Sequence, residues 1–173
     1  MFDPTIYENI KVVLEGEIYD IDLSGQIEVT KRRDLIDLAQ MSRKFIIQFK
    51  LVNSIKENYA EIHLLAKTED LAYEILETSH NENPGCAITI KFFTNVKNED
   101  ECEEILNILN KIWDYRPKVS QRLTYPYEKV KSKNRKLVNE INLNFGRKID
   151  EDNIDDIHNL VGHTLKSLNS LSD

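Results

Sequence analysis

Cysteine, proline and glycine are scarce, at two, four and five residues in a chain of 173. Cys86 and Cys102 are too few for the disulfide framework of a stapled secreted domain, and both are expected as free thiols. Few glycines and prolines mean few long loops. No run approaches the roughly 18 apolar residues of a membrane span. The opening stretch MFDPTIYENIKVVLEGEIYD has acids where a secretory leader needs bases, and no apolar segment follows them. A cytoplasmic setting without membrane association is the expectation. Local catalytic signatures are absent as well: no glycine-rich phosphate loop, no H-E-x-x-H, no C-x-x-C and no G-x-S-x-G. No catalytic residue, metal ligand or cofactor is assigned, and an enzyme is not the leading expectation.

What is present belongs to a folded protein. Hydrophobic residues make up 40% and charged residues 31%, and the length fits one domain. The first third alternates: Ile10, Val12 and Leu14, then Tyr19, Ile21 and Leu23, then Ile27 and Val29, with Gly16 and Gly25 between the runs. Period two puts each set on one face of a strand, so a β-meander is expected. A short helix is expected at RDLIDLAQMS, with Asp34 as its cap. KFIIQFKLV and NYAEIHLLAK read as a hairpin, and CAITIKFF as a further strand. A helix from Thr68 to about Thr78 would bury Leu71, Ala72, Ile75 and Leu76, and HNENPG reads as a loop.

The segment NEDECEEILNILNKIW has Asn98 as cap and Glu101 three residues on, ahead of a stripe of Cys102, Ile105, Leu106, Leu109, Ile112 and Trp113. VSQRLTYPY reads as an edge strand because of Pro126. Two closing helices are expected. The first covers about 127–145, with Val130, Leu137, Val138, Ile141 and Phe145 inward and Gly146 at its end. The second begins at Asp150 and buries Ile154, Ile157, Leu160, Val161, Leu165, Leu168 and Leu171. The fold class is therefore α+β: a mainly antiparallel sheet with an N-terminal meander, helices on one face and a C-terminal two-helix hairpin. Residues 1–124 would form the core, with 125–173 packed on it or appended to it.

Few side chains gather into a chemical site. Asp20 and Asp22 would share a strand face and could hold Mg²⁺, but no third ligand lies at useful spacing, and the polar side of a half-buried strand explains them. His158 and His163 are five apart, about 140° on a helix, too far round to share a metal. Asp152, Asp156 and His163 align on one face, yet acids in a first turn also serve the helix dipole. His63, beside Leu64 and Leu65, reads as a satisfied half-buried histidine. Gly162 would let two helices approach closely.

Charge is the most uneven feature. The net is −7, but residues 116–136 hold eight bases and one acid, leaving the rest at −14. Within QRLTYPYEKVKSKNRK the bases of a helix starting at Tyr127 would spread over about 200° of arc. Arg116, Lys118, Arg122, Lys129, Lys133 and Lys136 are the candidate patch for a polyanion or an acidic partner. The expected function is a non-catalytic interaction or regulatory module that works through a protein partner, with self-association as one form of it. The alternatives are a nucleic-acid-associated protein using 116–136 and an enzyme built from scattered aspartates and histidines.

Overall fold

Alternating apolar residues build a six-stranded antiparallel sheet. Its strands are β1 (Ile27–Asp37), β2 (Ser42–Leu51), β3 (Tyr59–Ala66), β4 (Cys86–Val96), β5 (Lys118–Thr124) and β6 (Leu137–Ile149), in the order β1-β2-β3-β4-β6-β5. The structure, a computed structural model, describes residues 5–76, 84–127 and 136–173. Helices α1 (Thr5–Leu23), α3 (Asp100–Ile112) and α4 (Ile154–Ser172) cover one face, and α2 (Thr68–Leu76) fills the β3–β4 connection. The α+β class, the antiparallel sheet and the one-sided helices all agree with the sequence reading.

Strand alternation sends every second residue under the helices. Phe45 stands opposite Leu64, Ile47 opposite Ile62, and Phe49 opposite Ala60. The rows continue through Ile90 to Leu143 and through Phe92 to Ile141. All ten of these side chains are buried and form one core with Tyr7, Ile10, Leu14 and Ile18 of α1.

The N-terminal meander is corrected: residues 5–23 are helical. Ile10 and Leu14 fit a period of two and a period of 3.6 equally well, so the pair misleads. Tyr7 and Ile18 complete the helical stripe, while Val12, inward in a strand, is 64% exposed. Gly16 lies mid-helix, where it costs roughly 1 kcal/mol relative to alanine. Gly25, at φ 80°, follows the last turn, and its N–H donates to Asp22 O at 2.9 Å. The helix expected at RDLIDLAQMS is also absent. Residues 33–37 finish β1, and Asp37 Oδ1 accepts the Ala39 and Gln40 N–H groups in the turn to β2.

The helix expected over 127–145 is a strand from Leu137 on, since 137–149 form β6, and 128–135 lie outside the described residues. Its apolar residues satisfy both periods, and pairing with β4 on one side and β5 on the other decides the outcome. Gly146 does not end a helix. At φ 65° it sits in a bulge of β6 where the register with β4 shifts, and its N–H donates to Asn144 Oδ1. The C-terminal helical pair is thus a short 3-10 turn, Glu151–Asn153, running into α4, rather than a hairpin of two long arms. Because β6 lies between β4 and β5, residues 137–173 are part of the same core.

Other expectations hold. Asp150 caps the 3-10 turn that leads into the closing helix by accepting the Asp152 N–H at 2.9 Å, and Ile157, Val161, Leu168 and Leu171 are buried. Asn98 Oδ1 accepts the Glu101 N–H at 3.2 Å, while Glu101 Oε2 accepts the Lys97 N–H. Trp113 Nε1–H donates to Ser167 Oγ at 2.9 Å and ties the end of α3 to α4. β5 is an edge strand, with Pro126 just beyond it. In α2 only Leu71 of the expected apolar set is buried, and Ile75 and Leu76 are exposed. Residues 80–83 of the expected loop lie outside the described residues.

Candidate functional site

The candidate basic residues fall in three places. Arg116, exposed in the turn after α3, approaches Asp114 at 3.9 Å. Lys118 and Arg122 project from β5 on the side away from the helices, opposite Asn144 and Glu140 of β6. Lys136 is exposed just before β6. Lys129 and Lys133 lie outside the described residues. Among the described members, Lys118 and Arg122 therefore share one surface, the open face of the sheet.

That face carries more than the sequence patch. Alternation and register place Lys31 and Arg33 of β1, Lys44 and Lys50 of β2, and Lys91 of β4 on it as well. Its acids are Glu28, Asp37, Glu61 and Glu140, with Asp37 confined to the hairpin turn. The helices have the opposite bias: α1 has five acids against Lys11, α2 three and no base, α3 four against Lys111, and 151–172 four against Lys166. The sheet thus separates an acidic layer from a basic surface. Among the described residues, Lys31, Arg33, Lys44, Lys118 and Arg122 form no ion pair, so their charge is free to act outward.

The middle of the open face is polar and tightly paired. Glu61 Oε2 lies 2.7 Å from His63 Nε2, and Lys91 Nζ lies 2.6 Å from Glu140 Oε1. The hydrogen bond from His63 holds the Glu61 carboxyl below its usual range, against the opposing effect of burial, with help from the Lys91 and Lys31 charges. Tyr59 and Phe93 stand opposite each other, stacked with ring centroids 4.6 Å apart. Burial, then Glu61 and Glu140, push the Tyr59 hydroxyl up. Neighbouring side chains leave His63 and Gln48 only 9% exposed although none of the described helices covers them.

A second cluster lies on the helical side. Lys11 of α1 reaches Asp34 of β1 at 2.8 Å and Glu8 at 2.7 Å. Arg43 of β2 reaches Glu8 at 3.0 Å and Asp34 at 3.2 Å, and the Tyr7 hydroxyl donates to Asp34 Oδ1. Two cations meet two carboxylates, so the group is neutral and clamps α1 to the first hairpin. Asp34 has this role in place of the helix cap expected from the sequence.

The remaining sequence candidates disperse. Asp20 and Asp22, now two apart on a helix, point about 200° from each other and cannot share a cation. His158 Nδ1 meets Glu17 at 2.8 Å, and the His163 ring packs on Trp113 at 5.3 Å. A Cβ at Gly162 would meet open space, so no close helix approach depends on it. Among the described residues no group of three or more His, Cys, Asp or Glu could hold a metal ion. Burial pushes the Cys86 thiol up to about 12, which leaves it inert.

The sequence reading missed the open face because its bases come from four strands, each contributing only one or two. The alternation of Lys44 and Lys50 against Phe45, Ile47 and Phe49 was the legible trace of it. Comparison with protein-family models, with curated proteins and with solved structures found no match to this chain.

Proposed function

We propose that the protein is a non-catalytic cytoplasmic binding module that holds a polyanion, a nucleic acid strand, against the open face of its sheet. The observation that carries this reading is the sorting of charge by layer. A chain of net −7 gathers bases without an ion pair among the described residues on the sheet face that none of the described helices covers. Phosphate contacts of this kind supply affinity without sequence readout. The acidic helical layer would orient the molecule with the face toward its ligand. Among the described residues no helix is long and apolar enough to cross a membrane.

The test is titration of a labelled RNA strand and of heparin at several salt concentrations. Lys118→Gln with Arg122→Gln is expected to weaken binding about tenfold and to flatten the salt slope by roughly 0.7 per lost contact. Stability should barely change, since exposed charges contribute about 0–1 kcal/mol each. Lys111→Gln with Lys166→Gln, on the helical layer, should leave binding intact. Absence of binding to RNA, DNA and heparin at low salt would remove the reading.

A protein partner with an acidic surface is the second reading. The β1–β2 hairpin favours it, because Leu35, Ile36, Leu38 and Met41 are exposed at its tip and Leu35 stands opposite Lys44. Copurified material that survives nuclease treatment as protein would support this reading over the first.

A further inference from the structure

The two central carboxylates of the open face are held by different kinds of basic side chain. Glu140 is held by the Lys91 ammonium at 2.6 Å. Glu61 is held by His63, and histidine is the side chain that changes charge between about pH 5 and 8. We infer that His63 gates the face: a polyanion binds more tightly when His63 is protonated, because Glu61 then no longer repels it. This rests on the reading of the face as a polyanion site.

The surroundings make the gate local. The direct cross-strand neighbours of His63 are Ile46 of β2 and Thr89 of β4, both uncharged. Its own strand supplies Glu61. The diagonal positions supply Lys44 and Gln48 on β2 and Lys91 on β4, and β1 supplies Lys31 and Arg33 one strand further out. Glu61 is the acid nearest its ring, and the lysines and Arg33 are the cations around it. A polyanion laid over the face screens those cations from His63, so its arrival favours uptake of the proton. By linkage, the proton in turn favours the polyanion. His158 pairs with Glu17 of α1 and His163 packs on Trp113 of the helical layer, so both lie away from the face.

The experiment follows an oligouridylate carrying a pH-insensitive dye by fluorescence anisotropy, at constant ionic strength, between about pH 6 and pH 8. The wild-type protein is expected to bind about three- to tenfold more tightly at the acidic end, a change of at most one proton. His63→Gln should bind weakly and equally at both ends. Glu61→Gln, which removes the repelling carboxylate, should bind more tightly than the parent at the neutral end. Binding by His63→Gln with the full pH dependence of the parent would overturn the gate and leave the face intact as a binding surface. No binding by the parent at either end would sink the face itself, and the gate with it.

Discussion

Asp34→Ala will destabilise the protein by about 1–2 kcal/mol, the cost of losing charge-assisted hydrogen bonds in a cluster that solvent partly screens. The carboxylate accepts from Lys11, Arg43 and Tyr7 at once, and its removal leaves two cations facing only Glu8. Most of the loss comes from that unbalanced charge, so Asp34→Ala with Arg43→Met should recover part of it. Urea denaturation of the three proteins measures both effects. The same group makes stability fall in acid. Burial pushes the Asp34 carboxyl up, but the hydrogen bonds from Lys11 and Arg43 outweigh it and hold the group below its usual value of 3.8. A depressed carboxylate contributes fully above that value and loses its contribution as pH falls through the folded-state value. In Asp34→Ala this part of the acid transition should disappear. An unchanged midpoint and acid limb would show that the clamp carries no stability.

Leu14→Asp is expected to unfold the chain, and Val12→Asp to leave it within about 0.5 kcal/mol of the parent. Leu14 has no exposed surface and faces the sheet, so an aspartate there would be a buried, unpaired charge. Its cost, about 4 kcal/mol or more, is a large share of the roughly 5–15 kcal/mol that holds a domain together. Val12 points to solvent two residues earlier. In the strand arrangement Ile10, Val12 and Leu14 would be buried together, and both substitutions would unfold the protein. Circular dichroism and thermal unfolding of the two variants separate the arrangements.

That pair of residues also marks where the sequence stops being legible. An apolar spacing of four is shared by a strand and a helix, so Ile10 and Leu14 decide nothing, and the two glycines at 16 and 25 tilted the reading toward hairpins. Only Gly25 marks an end of structure. The same ambiguity concealed β6, where Leu137, Ile141 and Phe145 stand at the same spacing. Elements with their own punctuation were readable: Asn98 with Glu101 opens α3, Asp150 opens the closing helix, and β2 and β3 alternate cleanly across a short turn. The open face was half legible. Lys118 and Arg122 lie in a basic run, while Lys31 and Arg33 sit near Glu28 and Asp34 in sequence and Lys44 stands in an apolar strand. Only the pairing of strands brings these five to the same surface.

The position of β6 has a consequence for how the chain folds. Strands β1 to β4 pair each with the next, and β5 pairs with β6, so each group can zip up across a connection of its own. The β4–β6 ladder is the one joint in the sheet between strands not adjacent in sequence, and it encloses α3 and β5. Closing that long loop costs entropy before any contact repays it, so this joint should form last and limit the folding rate. Weakening Phe92 or Ile141, which face each other across it, would then speed unfolding more than it slows folding.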